Sequence, residues 1–199
     1  MKLYFSDASP YARLIRVILL ETGLDTETDY SVVDPWTSPD ELLRVNPAGK
    51  VPALVLPDGS CLIESGCIAD YLIVRSARPD LYPINGGPDT AWRTEVLGLG
   101  RAAIDCAFGS VVQRRFAPES PLVERWRAAL PRIVGRLEVI HSDVPPQTHI
   151  DLADLTVAVA FEYICFRLPE INWQTDAPRT AERVTRLGGR SSFQATRPK

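Results

Sequence analysis

The chain has 199 residues, 45% of them apolar, and its 22 basic and 25 acidic side chains give a net charge of −3. This length and composition exclude a disordered chain and allow one or two domains with a sizeable core. The balanced charge argues against a nucleic-acid-binding surface, and no run approaches the roughly 18 apolar residues of a membrane span. The charged and polar first residues argue against a signal peptide, so we expect a cytoplasmic protein without nucleic-acid or membrane partners.

The first eighty residues alternate between strand and helix patterns. Residues 2–5 form a short strand-like run that ends in turn-forming residues. Apolar residues then recur at helical spacing between Pro10, which suits the first turn of a helix, and Gly23, which is placed to end it. Ser9 stands directly before Pro10, and serine is a favoured N-cap residue.

A β-hairpin is the clearest local signal. It follows a weaker strand pattern at residues 28–33 and a short helix pattern at residues 39–45. Two apolar runs, 51–56 and 60–63, are joined by a Pro-Asp-Gly turn, and a helix is then predicted over residues 64–73. Together these elements predict the order β-α-β-α-β-β-α, a sheet with a crossover and a terminal hairpin.

The composition changes after this region. Residues 79–88 are rich in proline and glycine, as in a linker, and the remainder carries only helical patterns. The predicted helices cover residues 91–116, 121–140, 152–166 and 179–187. The third is apolar nearly all round, as buried central helices are, and Asp151 is placed to cap it. The sequence therefore predicts an α/β domain at residues 1–78 and an all-α helical domain at residues 89–199.

The four cysteines form no C-x-x-C pair, and no histidine lies at metal-ligand spacing from them. Disulfides, zinc and other metal sites are therefore not expected. Because Cys61, Cys67, Cys106 and Cys165 stand among apolar residues, we predict that they are small buried thiols.

Three stretches carry a resemblance to a known family. They are the Ser-Pro-Tyr-Ala-Arg run at residues 9–13, the Asn-Pro-Ala-Gly-Lys-Val-Pro run at residues 46–52, and the Glu-Ser-Gly-Cys-Ile-Ala-Asp-Tyr-Leu run at residues 64–72. Their order and spacing resemble the thioredoxin-like domain of cytosolic glutathione transferases. The capped apolar helix after Asp151 resembles the core helix of that family's second domain, so the likeness covers nearly the whole chain.

The resemblance implies a glutathione site on the first domain. It implies a cis peptide bond before Pro52, with the backbone of Val51 pairing with the cysteinyl part of glutathione as an added strand does. Lys50 would face the glycyl carboxylate. A plain strand start at Val51 and a merely solvated Lys50 are the alternatives.

Glu64 and Ser65 also suggest a binding site on physical grounds. They stand where a strand meets a helix N-terminus, which offers free N–H donors to an anion. Ser65 would hold the γ-glutamyl carboxylate, while Glu64 would accept hydrogen bonds from the γ-glutamyl ammonium group. The alternative is that Ser65 only caps the helix.

Ser9 is the candidate catalytic residue. Glutathione attacks as a thiolate, whereas a cysteine-type thiol with a pKa near 8.5 is mostly protonated at neutral pH. A serine hydroxyl at a helix N-terminus stabilises the anion, and serine-type members of the family carry the active hydroxyl at this position. Ser6 is a rival for this role, Arg13 could assist or form a structural ion pair, and Tyr4 is expected in the core.

Two functions follow from the resemblance. The first is a glutathione transferase that conjugates the thiolate of glutathione to small apolar electrophiles, with glutathione as co-substrate, no other cofactor and a homodimeric assembly. The second is a glutathione-binding protein or stress adaptor with little or no transferase activity. The presence of Ser9 together with Lys50, Glu64 and Ser65 favours the enzyme.

Overall fold

A computed structural model describes residues 1–82, 87, 89–143 and 150–198. The chain divides into two compact units, Met1–Pro79 together with Ser191–Lys199, and Asp80–Arg190. The domain boundaries predicted from the sequence stay a prediction. Of the predicted linker, residues 83–86 and 88 lie outside the described residues, and residues 79–81 form a 3₁₀ turn.

The first unit contains a four-stranded mixed sheet. Its elements in chain order are β1 (Lys2–Phe5), α1 (Pro10–Thr22), β2 (Asp29–Val32), α2 (Asp40–Val45), β3 (Ala53–Val55), β4 (Cys61–Ile63) and α3 (Ser65–Arg75). The strand order is β2-β1-β3-β4, with β1 parallel to β2 and antiparallel to β3, and with β4 antiparallel to β3. The predicted order β-α-β-α-β-β-α and the thioredoxin-like fold are confirmed.

The register of the sheet aligns three strand ends. Tyr4 of β1 lies opposite Ala53 of β3, and Ala53 lies opposite Ile63 of β4. Because neighbouring strands in this row run in opposite directions, the exit of β1, the entry of β3 and the exit of β4 meet at one end of the sheet. Residues 6–9, 50–52 and 64–65 all adjoin that end.

The helix α1 begins and ends where local chemistry predicts. Ser9 is its N-cap residue and Pro10 occupies its first turn, where a missing N–H costs no hydrogen bond. Gly23 ends it at φ 72°, a left-handed conformation that glycine adopts without steric cost. One face of α1 is fully buried, including Ile15, Ile18 and Leu19.

A short helix near the C-terminal end belongs to the first unit. This helix is α9 (Ser191–Ala195), and its Phe193 is fully buried. The guanidinium of Arg13 on α1 donates to the carbonyl of Phe193 and lies 5.6 Å from the centroid of the Phe193 ring. Ser192 donates to the carboxylate of Glu21. The sequence did not predict this element.

The described part of the second unit is helical. Its helices are α4 (Thr90–Phe116), α5 (Pro121–Asp143), α6 (Leu152–Arg167), α7 (Trp173–Asp176) and α8 (Pro178–Gly188). Gly100 of α4 lies against α6, where an added Cβ would stand 3.1 Å from Val157, so these two helices pack closely. Within the described residues, no helix is long and apolar enough to cross a membrane.

The central helix α6 is capped as predicted. Asp151 accepts hydrogen bonds from the backbone N–H groups of Ala153 and Asp154, at 2.9 and 3.1 Å, and the Asp154 carboxylate accepts one from the Asp151 N–H. Asp151 also forms an ion pair with Arg93 of α4, and both side chains are buried. Burial and the neighbouring Asp151 charge raise the pKa of Asp154 to about 6.

The prediction of buried cysteines is wrong. Cys61, Cys67 and Cys165 are exposed, and Cys106 is only half-buried. On α3 the helical period turns Ile68, Ala69, Leu72 and Ile73 inward, and Cys67 therefore points outward despite its apolar neighbours.

Candidate functional site

The predicted site residues are brought to one end of the four-stranded sheet. Ser9 follows the exit of β1, Lys50 and Val51 precede the entry of β3, and Glu64 and Ser65 follow the exit of β4. In the sequence these three groups are separated by 40 and 12 residues. The sheet register therefore clusters them.

Ser9 is nine-tenths buried at the start of α1. Its Oγ accepts a hydrogen bond from the N–H of Ala12 at 3.2 Å, and its carbonyl accepts one from the N–H of Arg13 at 3.0 Å. The capping role is therefore present. A serine hydroxyl has one donor and two acceptor positions, so this cap leaves its own O–H able to donate elsewhere. No acidic residue stands in the first turn of α1 to offset the positive end of the helix.

The rival residues near Ser9 have different surroundings. Ser6 is half-buried, and its carbonyl accepts a hydrogen bond from the Ser9 N–H at 3.1 Å, so it shapes the turn that leads to Ser9. Arg13 is buried with 3% of its surface exposed and contacts Phe193 of α9. Tyr4 is buried, as expected, in a cluster with Val33 and Leu42.

The loop before β3 is fixed by Asn46, a residue that the sequence pattern alone does not assign to the site. Its amide Nδ2 donates to the carbonyl of Lys50 at 2.7 Å, and its Oδ1 accepts from the N–H of Ala48 at 2.9 Å. Asn46 is 2% exposed, while the side chain of Lys50 is exposed. The position of asparagine in the Asn-Pro-Ala-Gly run was the available signal, because Asx side chains commonly close turns of this kind.

Val51 anchors the end of this loop. The Val51–Pro52 peptide bond is cis, which confirms the expectation drawn from the resemblance. The half-buried Val51 side chain packs against the cluster of Tyr4, Val33, Leu42 and Ala53. The loop before β3 is therefore held at Val51 by its packing against the hydrophobic core of the first unit.

The junction between β4 and α3 has an unusual backbone. Glu64 adopts φ 66° and ψ 121°, a conformation that residues with a side chain rarely adopt. Such a conformation costs on the order of 1–3 kcal/mol, and residues of this kind cluster at functional sites. Glu64 is the N-cap residue of α3 and Ser65 is the first helical residue. Ser65 is therefore not the N-cap residue itself, and its role in binding stays a prediction.

This junction suits the head group of an amino acid. The first N–H groups of an α-helix have no partner within the helix, and the first turn of α3 holds no acidic residue. A carboxylate can therefore bind beside the Ser65 hydroxyl. The exposed carboxylate of Glu64 is suited to an ammonium group. In the part of the chain that the structure describes, no group of three or more His, Cys, Asp or Glu residues could hold a metal ion.

Comparison with known proteins places these features in a family. Residues 3–80 match the family described as glutathione S-transferase, N-terminal domain. The uncharacterized GST-like protein YibF of Escherichia coli (strain K12) is 31% identical over 202 aligned positions, which cover 100% of this chain and 98% of that protein. The stringent starvation protein A homolog of Pasteurella multocida is 36% identical over 84 residues, 42% of this chain and 38% of its own length.

Two solved structures resemble this chain over nearly its full length. A glutathione transferase family member from Pseudomonas fluorescens, crystallised with bound glutathione, has a TM-score of 0.88 and 29% identity over 100% of this chain and 98% of its own. A glutathione S-transferase from Methylobacterium radiotolerans, in complex with glutathione sulfonate, has a TM-score of 0.87 and 26% identity over 99% and 94%. With the full-length likeness to YibF and the domain match, the conclusion follows that this chain belongs to the glutathione transferase family.

Proposed function

We propose that this chain is a cytoplasmic, homodimeric glutathione transferase that conjugates the thiolate of glutathione to small apolar electrophiles. The observation that carries the proposal is the sheet register, which clusters Ser9, the Lys50–Val51 loop and the Glu64–Ser65 junction at one end of the sheet. Support also comes from the relatives from Pseudomonas fluorescens and Methylobacterium radiotolerans, which hold glutathione and glutathione sulfonate.

Two ends of the tripeptide are recognised by charge. Ser65 and the first turn of α3 bind the γ-glutamyl carboxylate, and Glu64 accepts hydrogen bonds from the γ-glutamyl ammonium group. Lys50 binds the glycyl carboxylate at the other end. The Val51 backbone pairs with the cysteinyl residue between them, as an added strand does.

Ser9 acts on the thiol. Its hydroxyl donates a hydrogen bond to the sulfur, and the positive end of α1 adds to the stabilisation of the thiolate. The thiolate then forms a C–S bond with the electrophilic carbon. In a substitution the leaving group departs with the bonding electron pair. In an addition there is no leaving group: the π-electron pair of the electrophile's double bond shifts to the far atom, which takes a proton from solvent.

A second candidate is a glutathione-binding protein or stress adaptor with little or no transferase activity. The observation that favours it is the 84-residue match to the stringent starvation protein A homolog. Both candidates use the glutathione site proposed above, so binding of glutathione alone does not separate them. They differ in the thiol, since only the enzyme needs a bound glutathione whose pKa is depressed.

Calorimetry with glutathione tests the site, using wild type, Glu64→Ala and Ser65→Ala. Each variant should weaken binding, because a hydrogen bond to a charged group contributes about 1.5–3 kcal/mol, or roughly ten- to a hundredfold in affinity. Asp58→Ala is the matched control, since Asp58 accepts from Ser60 in the hairpin turn between β3 and β4. Unchanged affinity in both site variants would refute the assignment. Turnover with a general electrophile then separates the two candidates.

A further inference from the structure

Asn46 is a buried polar side chain beside the proposed site, with 2% of its surface exposed. It ends α2, and its own N–H donates to the carbonyl of Leu42 at 2.8 Å. Its side chain uses the donor and the acceptor of its amide within the next four residues, on the Lys50 carbonyl and the Ala48 N–H. Its carbonyl accepts from the N–H of Gly49 at 2.9 Å. One residue therefore makes three hydrogen bonds to the loop at residues 47–50.

The backbone of this loop also leaves little freedom. Gly49 adopts φ 63°, where a side chain would be strained, and a Cβ added there would stand 3.4 Å from Leu43 on α2. The loop ends at the cis bond between Val51 and Pro52. Both ends of the loop are thus fixed, and the buried Asn46 side chain joins them through its bonds to Ala48 and Lys50.

The amide of Asn46 acts on Lys50 in particular. It holds the Lys50 carbonyl at 2.7 Å while the Lys50 side chain stays exposed. The buried amide therefore sets the position of the Lys50 Cα atom and the direction in which the flexible side chain leaves the loop. A loop that is ordered before binding loses less conformational entropy when a ligand arrives.

We propose that Asn46 is a positioning residue that sets Lys50 toward the glycyl carboxylate of glutathione. This inference rests on the proposed function. Asn46 does not touch the ligand in this arrangement, and it contributes to affinity through the Lys50 carbonyl. The thiol chemistry at Ser9 is separate, so the turnover of bound glutathione should not depend on Asn46.

Asn46→Asp is the sharpest test, because aspartate keeps the size and the acceptor for Ala48 but has no N–H to donate to Lys50. Calorimetry should show glutathione binding weakened by at least about tenfold, because the variant loses a buried hydrogen bond that orders a binding loop and sets a carboxylate oxygen against the Lys50 carbonyl. KM for glutathione should rise by a similar factor while kcat stays unchanged. Asn46→Ala removes both side-chain bonds and should weaken binding at least as much. Thermal unfolding of each variant verifies that it is folded.

Two comparisons separate positioning of Lys50 from a general structural role. γ-Glutamylcysteine lacks the glycyl carboxylate, so Asn46→Asp should weaken its binding by a clearly smaller factor than that of glutathione. In a Lys50→Ala background the effect of Asn46→Asp on glutathione binding should shrink toward none. Asp58→Ala, which removes a similar turn contact at a distance from the loop, should leave all affinities unchanged.

The outcomes distinguish the two proposals. If wild type does not bind glutathione, the proposed function is wrong and this inference is overturned with it. If wild type binds and folded Asn46→Asp binds equally well, only this inference is overturned. Equal weakening for glutathione and γ-glutamylcysteine also overturns it, because the effect would then not pass through Lys50.

Discussion

Substitution of Ser9 by alanine tests the proposed chemistry directly, and the structure separates its two effects. The variant loses the cap on the Ala12 N–H, a bond of 3.2 Å, which lowers the free energy of unfolding by about 0.5–2 kcal/mol. It also loses the hydroxyl that donates to a bound thiolate, a contribution of about 1.5–3 kcal/mol. Only the second loss acts on the thiol.

The expected shift follows from these magnitudes. At about 1.4 kcal/mol per unit, the pKa of bound glutathione should rise by about one to two units. Conjugation at neutral pH should fall roughly ten- to a hundredfold and should partly recover at alkaline pH. The affinity for glutathione should stay nearly intact, because Lys50, Glu64 and Ser65 hold the charged ends of the tripeptide.

The assay is a pH series of thiolate absorbance and of turnover with a general electrophile. Ser9→Thr keeps both the hydroxyl and the capping acceptor, and it should restore most of the pKa depression. Ser6→Ala should change little. A shift caused by Ser6→Ala instead of Ser9→Ala would show that the active hydroxyl is misassigned. A wild type whose bound thiol has an ordinary pKa would refute the chemistry and favour the binding protein.

Three further predictions concern stability and assembly. Asp151→Ala should lower the free energy of unfolding by about 3 kcal/mol, since it removes a helix cap and one partner of the buried ion pair with Arg93. A urea unfolding curve unchanged from that of the wild type would contradict this role. Burial, with a smaller effect of the Arg183 charge, lowers the pKa of His141 from 6.5 to about 4. As pH falls, His141 is therefore protonated in the unfolded chain before it is protonated in the folded protein. The free energy of unfolding should thus fall as pH falls from about 6.5 to 4, by about 3 kcal/mol more in the wild type than in His141→Asn. Asp154 titrates in the opposite sense, but it does so in both proteins, so the difference between them isolates His141. Parallel pH profiles of the two proteins would refute this prediction. Light scattering at micromolar concentration should give twice the 22.0 kDa of one chain, since α3 exposes the apolar Val74, and a monomer would exclude the dimer.

The features that the sequence predicted well are those set by local chemistry. The start and end of α1 follow from Ser9, Pro10 and Gly23, and the hairpin follows from the Pro-Asp-Gly turn. Asp151 caps α6 as expected, because an N-cap needs only the next three residues. The residues of the proposed site could also be named from the sequence, since they stand in short recognisable runs, and their roles stay a prediction.

The features that the sequence missed depend on partners that are distant along the chain or on which way a residue faces. Arg93 meets Asp151 across 58 residues, and Arg13 meets Phe193 across 180. The helix α9 has five residues, too few for a periodic pattern to predict its burial. The exposure of Cys67 depends on the rotation of α3 about its axis. Asn46 stands within one of the three family motifs, but only the observed contacts indicate what its amide holds.

The place of α9 has a consequence for how the protein is made. Phe193, which is fully buried, and Ser192 contact α1, so the first unit contains residues from both ends of the chain. A ribosome delivers residues 1–79 long before residues 191–196. The emerging N-terminal part therefore cannot complete its packing until residues 191–196 have been synthesised, well after its own strands and helices. A nascent chain stopped at residue 190 would lack the covering of Arg13 that the finished protein has.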